Sequence, residues 1–301
     1  MTPRYVFELL LLAGIWGASF IFMRIGSPEL GPFLFMALRT LTASLFLLPL
    51  VFITKKQAAF KGYKAKIFVV GIFNTAIPFV LFGYATLTLS GGLTSVLNAT
   101  TPMFGAIVAY IWFRDKLTVV ASFGLLVGFV GVYLLVLDKI NLGQQRILLP
   151  TLAALLASLC YGLSASYTKR YLSGISSTVL ASGSQVAATI VLLPISFFFI
   201  PTQWPSDSAI VSVLLLGVMC TGVAYVIFFH LIANLGPSKA ISVTYLIPAF
   251  GLFWGSLFLD EVITSSMIIG CGFILTGVAL ATGLLKLPKR KIRKSETNTN
   301  F

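Results

Sequence analysis

Residues 71–89 read GIFNTAIPFVLFGYATLTL, and residues 217–235 read GVMCTGVAYVIFFHLIANL. Overlaid at a shift of 146, they pair Gly71 with Gly217, Thr75 with Thr221, Val80 with Val226, Phe82 with Phe228 and Leu89 with Leu235. The register continues without a gap. Pro102, Phe104 and Gly105 meet Pro248, Phe250 and Gly251, Asp115 meets Glu261, and Thr118, Gly124, Gly131, Val132 and Leu134 meet Thr264, Gly270, Gly277, Val278 and Leu280. At a shift of 145, Trp16-Gly17-Ala18-Ser19 meets Tyr161-Gly162-Leu163-Ser164, and Arg24 meets Lys169. Coincident apolar residues mean little in a chain this greasy, but coincident glycines, prolines and an acidic position mark two copies of one unit.

Of 301 residues, 58% are hydrophobic and 10% charged, against roughly 45–50% and about 25% in soluble domains. The apolar runs recur from Tyr5 to Leu285 with little polar sequence between them, which leaves no room for a water-soluble domain. A helix needs about 20 apolar residues to cross the hydrocarbon core with its backbone satisfied internally. Ten runs qualify, at approximately 5–25, 32–53, 67–88, 92–113, 117–137, 148–168, 176–199, 208–232, 237–258 and 263–285. The short turn near Ser90 to Gly92 predicts a tight hairpin between the third and fourth. The first run is too long for a signal-peptide core and has no A-x-A-like site, so it reads as a retained helix.

The copies occupy 5–137 and 148–285, and a basic, then polar tail at 286–301 reads as a solvated cytoplasmic anchor. Because five is odd, the second copy enters the membrane from the opposite face. The expected fold is all-α integral membrane, with ten transmembrane helices as two inverted five-helix repeats about an axis in the membrane plane.

A net charge of +13 would suggest nucleic acid in a soluble protein. Here the basic residues sit between apolar runs, where they act as topology signals, and no nucleic-acid partner is expected. With the N-terminus inside, seventeen of the 21 Lys and Arg residues fall on the cytoplasmic side, at Arg4, 55–66, 114–116, 169–170, Lys239 and the tail. Both termini are therefore expected in the cytoplasm. Cys160, Cys220 and Cys271 lie far apart inside apolar runs, without metal or disulfide spacing, so they read as small buried hydrophobes and no metal or cofactor is expected.

In order and duplicated, several motifs resemble the EamA family of the drug/metabolite transporter superfamily. They are Trp16-Gly17-x-x-Phe20 with Arg24, Pro32 followed by Arg39, Pro102 leading into Phe113-Arg114-Asp115-Lys116-Leu117-Thr118, Tyr161-Gly162, Gly236-Pro237-Ser238-Lys239-Ala240, Pro248, and Leu259-Asp260-Glu261-Val262-Ile263-Thr264. The resemblance covers about residues 5–285. It departs at Asp115, where the family more often has Glu. It implies a ten-helix carrier of the bacterial inner membrane that exports amino acids or similar metabolites, or in some branches imports nucleotides or cofactors.

In inverted-repeat transporters the substrate binds near the midplane, between interrupted helices. Proline cannot close a bond to the carbonyl four residues earlier, so Pro102 frees that of Asn98 and Pro248 that of Thr244. Helical spacing places Thr94, Asn98, Thr101 and Gly105 on one stripe, and Thr244, Pro248, Gly251 and Gly255 on its counterpart. Either stripe also suits close helix packing. Trp16 and Ser19 in the first helix, with Tyr161 and Ser164 in the sixth, occupy equivalent positions and offer aromatic faces with polar tips. Asn74 and Tyr225, with Tyr84 and Thr221, are secondary candidates. The expected substrate-lining set is Trp16, Ser19, Asn74, Asn98, Thr101, Pro102, Tyr161, Ser164, Tyr225, Thr244 and Pro248.

Charges within a bilayer are costly. Glu8 reads as interfacial, and His230 as a packing residue or proton relay. Arg39 reads as structural, either snorkelling outward or pairing with a carboxylate or carbonyl near the outer mouth. Asp115 and Glu261 end their helices, where they are expected to bond backbone or loop donors. Proton coupling stays open, and oligomeric state is not legible. The expected activity is alternating-access transport of a small metabolite, an amino acid or similar and outward in direction. An importer or exchanger of a nucleotide or cofactor-like metabolite is the alternative. A membrane-embedded enzyme would need a zinc helix, paired aspartates or a Ser/His dyad, and one histidine with few buried acids does not supply them.

Overall fold

The computed structural model describes residues 2–141 and 145–285; the basic tail lies outside them. All regular structure in the described residues is helical. The helices are α1 Pro3–Ile53, α2 Lys64–Ala85, α3 Gly91–Phe113, α4 Val119–Asn141, α5 Leu148–Tyr171, α6 Ser177–Phe199, α7 Asp207–Leu235, α8 Lys239–Leu259 and α9 Ser265–Ala281. All but the last are long and apolar enough to span a bilayer. Large apolar side chains such as Phe7, Leu45, Ile111, Leu126 and Phe198 point outward, as a lipid-facing shell requires.

The sequence suggests two helices with a loop near 26–31, whereas α1 runs continuously through Pro28 and leaves helical geometry only at Gly31 (φ 70°, ψ 152°). Pro32 disfavours the α region at the preceding residue, and glycine tolerates the positive φ. One residue therefore turns the chain, giving an N-terminal arm (3–30) and a C-terminal arm (32–53). The hairpin after α2 is as short as expected: Ser90 caps α3 by accepting a hydrogen bond from the Leu93 N–H at 3.2 Å.

Irregular backbone recurs at equivalent places in the two halves. A π-turn occupies Ile72–Ala76 of α2, and a longer π-stretch occupies Leu215–Val223 of α7. α3 is interrupted at Ala99 and Thr100, before Pro102. α8 passes through a 3₁₀ turn at Ser242–Tyr245, before Pro248. Arg114 and Asp260, 146 apart, both end their helices in the left-handed region, at φ 55° and 52°.

Close helix approaches are paired in the same way. A Cβ built on Gly17 would lie 2.9 Å from the Gly251 nitrogen, and one on Gly162 would lie 2.8 Å from the Gly105 nitrogen. Gly71 abuts Ser184 and Ala187, while Gly217 abuts Arg39 and Thr42. α4 packs along α9, with Gly124 against Gly277 and Gly131 against Gly270. Without water to drive apolar association in a bilayer, such small-residue crossings let backbones gain dispersion contact. The α4–α9 pair stands aside and leaves α1, α2, α3, α5, α7 and α8 around a central space.

Candidate functional site

That space is a cavity of about 460 Å³, within the few-hundred Å³ range of small-molecule sites. The interrupted segments line it: Asn74 from the α2 π-turn, Cys220 and Thr221 from that of α7, Asn98, Ala99, Thr101 and Pro102 around the break in α3, and Thr244 from the 3₁₀ turn of α8. Non-helical backbone is tolerated at membrane depth where it borders protein or a cavity. The Thr101 hydroxyl is buried without a partner among the described residues.

Aromatic side chains form the walls. Trp16 packs against Phe228 and Tyr225, with ring centroids 5.1 and 6.5 Å apart. Phe82 stacks on Tyr161 at 6.0 Å and meets Phe20 edge-on at 5.8 Å. Trp16, Ser19, Asn74, Asn98, Thr101, Pro102, Tyr161, Tyr225 and Thr244 thus share one lining.

Two of the expected residues lie elsewhere. Ser164 is buried beside a separate apolar groove of about 270 Å³ with Val69, Val70, Trp112 and Tyr167. On α5 the cavity face carries Tyr161, Gly162 and Ala165, which turns Ser164 toward α2 and α3. Pro248 is buried off the lining, where Ile241, Thr244 and Ile247 stand instead. The i, i+4 stripe assumes an unbroken α-helix, whereas a 3₁₀ turn repeats every three residues. Gly251 and Gly255 serve packing, against Ser95 and Glu261 respectively.

Arg39 corrects a third expectation, because it neither snorkels nor meets a carboxylate. It is 6% exposed and lines the cavity, with its guanidinium carbon 3.6 Å from the centre of the Phe79 ring. Its Nε donates to Thr221 Oγ1 at 3.2 Å, and Nη1 lies 4.0 Å from Met36 Sδ. It is the one charged side chain in the lining among the described residues. Sequence gave two signals that it belonged there: an intramembrane charge is by default functional, and its partner Thr221 lies in the duplicated stretch.

The two ends of the cavity differ. On the end carrying Arg24, buried Phe20, Met23, Phe79 and Phe82 form a plug. Beyond it, Arg24 Nη1 donates to the carbonyls of Thr86 and Leu87 at 2.7 and 2.8 Å, and Glu261 accepts from the Gly91 and Gly92 N–H groups at 2.6 and 2.9 Å. A depression of about 640 Å³ bordered by Arg24 and Glu261 lies outside that closure. On the end carrying Lys239, Ile241 is 47% exposed and Ala165 is exposed, so the cavity opens there. Below that mouth, Glu8 links α1 to α7 by bonding His230 Nδ1 at 2.8 Å, and it also accepts from Arg4 Nε at 3.0 Å.

A helical membrane bundle with a closed plug at one end of a polar-and-aromatic cavity has the form of a transporter. The EamA-like transporter family profile matches residues 4–137 and again 148–283, and the chain belongs to that family. It is 26% identical over 272 residues to "Uncharacterized transporter YoaV" of Bacillus subtilis, covering 89% of this chain and 93% of the other. It is 22% identical over 286 residues to the Escherichia coli protein named "Probable amino-acid metabolite efflux pump", covering 89% and 91%. A solved crystal structure overlays with a TM-score of 0.65 at 16% identity, covering 96% of this chain and 100% of the other; at that identity the likeness concerns the fold alone.

Proposed function

We propose that the protein is a carrier that moves a small metabolite, an amino acid or similar, by alternating access, with efflux as its direction. In this reading it has ten spans, counting the arms of α1 separately and adding the 17-residue α9. The spans form two inverted repeats, 5–137 and 148–285, with both termini in the cytoplasm of a bacterial inner membrane. The binding site is the central cavity, with Trp16, Ser19, Asn74, Asn98, Thr101, Pro102, Tyr161, Tyr225 and Thr244 among its contacts. Ser164 and Pro248 support neighbouring packing.

The observation that carries the reading is the asymmetric closure of an otherwise duplicated site. Equivalent interrupted helices surround the cavity, yet among the described residues the Arg24 end carries the stronger closure, through Arg24 and Glu261. Exchanging the state of the two ends would convert the inward-open form into an outward-open one, the pair of states alternating access requires. Gly17 against Gly251 and Gly162 against Gly105 are crossings of the same kind, which gives the two states comparable helix packing.

The test is counterflow in proteoliposomes loaded with a metabolite extract, using the purified protein. Saturable uptake of label that depends on trans substrate supports a carrier. Linear, non-exchanging flux would mean a pore and sink the proposal. Trp16→Ala and Asn98→Ala are expected to lower the flux at least several-fold while the protein still inserts.

A further inference from the structure

We propose that Arg39 is a substrate anchor, and that the cavity selects small organic acids bearing one carboxylate on an apolar or aromatic body. The inference rests on the carrier reading and names its substrate class. Arg39 presents five N–H donors. Among the described residues only Nε has a conventional partner, Thr221, and Nη1 has the weak thioether contact with Met36. Among the described residues no Asp or Glu lies within ion-pair distance of it. The titratable groups that face it are Tyr161, Cys220 and Tyr225, none of them a carboxylate.

A guanidinium in a bilayer normally pairs or reaches the interface, and Arg39 does neither. Phe79 covers one face of its plane, which compensates part of the desolvation. That stacking leaves the in-plane edge, the part of a guanidinium that binds a carboxylate with two parallel hydrogen bonds. The site therefore holds a fixed positive charge with unfilled donors, and the missing partner is an anion that comes and goes.

The rest of the lining narrows the class. One cation balances one negative charge, so a nucleotide or phosphate dianion would carry uncompensated charge into a desolvated site. Among the described residues no carboxylate lines the cavity to receive a cationic drug or polyamine. Trp16, Phe82, Tyr161 and Phe228 offer aromatic faces to the body of the ligand, and Asn98, Thr101 and Thr244 offer neutral polar groups for a second substituent. Because Arg39 and Thr221 come from opposite halves of the repeat, an anion on Arg39 would also screen the contact between the halves.

The test compares 3-phenylpropionate, hexanoate, 3-phenylpropionamide, 3-phenylpropylammonium and a nucleoside monophosphate as stabilisers of the purified full chain, since a ligand of the folded state raises its apparent melting temperature. Both carboxylates are expected to stabilise. The amide should bind about tenfold or more weakly, by the loss of charge-assisted hydrogen bonds, and the ammonium and the nucleotide should give no shift. In reconstituted protein, Arg39→Gln should abolish carboxylate exchange and Arg39→Lys should retain a weakened fraction. Equal binding of acid and amide by the unaltered protein would overturn the inference, with no variant needed. So would a response confined to the ammonium or the nucleotide, or no response to either carboxylate. The carrier reading fails separately, if the protein shows no saturable exchange with a metabolite extract.

Discussion

Arg24 and Lys169 occupy equivalent positions in the two repeats, and their surroundings differ. Arg24 caps the C-terminal end of α2 through two carbonyls, whereas Lys169 stands over the Phe113 ring at 4.8 Å. Glu261 and Asp115 differ likewise. Glu261 reaches across to the first turn of α3, where two free N–H groups and the positive end of the helix dipole receive it. The residues matching Gly91 and Gly92 are Pro237 and Ser238, and proline has no N–H to give. Asp115 is also one methylene shorter, and among the described residues its carboxylate accepts no hydrogen bond. A duplicated scaffold has thus been given a strong latch at one end and a weaker one at the other, which biases it toward the inward-open state proposed above.

Breaking the strong latch should have the largest effect. Glu261→Gln keeps one acceptor and turns the other oxygen into a donor facing an N–H. The loss of a charge-assisted pair is about 2 kcal/mol, or roughly 30-fold in the balance between closed and open. A Thr101→Cys reporter in a chain lacking Cys160, Cys220 and Cys271 should then react about that much faster with an impermeant maleimide added from the Arg24 side. An unchanged rate would show that the aromatic plug alone holds that end shut.

The paired glycine crossings should respond alike where the latches do not. Gly17→Ala drives a methyl against Phe250 and Gly251, and Gly162→Ala drives one against Phe104 and Gly105. Overpacking of this kind costs about 1–3 kcal/mol. Both variants are expected to lower the melting temperature by similar amounts, without shifting maleimide reactivity toward either side. A large difference between them would mean that one crossing opens during transport while the other stays closed.

These particular residues show how far sequence reaches. Most of the spans, the tight hairpin near Ser90 and the lining positions Asn98 and Thr101 follow from apolar length, turn chemistry and helical spacing. The helical path through Pro28 does not, because prolines near a bilayer surface read as a loop until one residue, Gly31, is seen to turn the chain alone. Pro248 is expected in the lining but lies off it, because the local period changes from 3.6 to 3. Arg39 is misread because a depth argument treats its helix in isolation, whereas Phe79 and Thr221, which hold it inward, arrive from α2 and α7. Helical period is local information; the choice among several inward faces is made by tertiary packing.

Arg24→Ala should matter less than Glu261→Gln, since the arginine cap is partly solvent-exposed and a cap of this kind contributes about 1 kcal/mol. A roughly fivefold gain in reactivity from the Arg24 side is expected, and Lys169→Ala should give under twofold at the opposite mouth. If Lys169→Ala proves the stronger of the two, the cation over Phe113 closes that end in a step of the cycle other than the one seen here.

The smallest effect is expected where the open mouth has its own tie. Glu8 bonds both His230 and Arg4, yet Arg4 and His230 are 72% and 42% exposed in their side chains, and exposed ion pairs contribute about 0–1 kcal/mol. Glu8→Gln preserves the length and one acceptor, so net efflux from preloaded vesicles should fall no more than about threefold if this contact only sets the spacing of α1 and α7. A far larger loss, rescued by Glu8→Asp but not by Gln, would assign Glu8 and His230 to proton transfer during the return step. The pair lies outside the cavity lining, so a spacer should leave net efflux nearly intact while a coupling site should not.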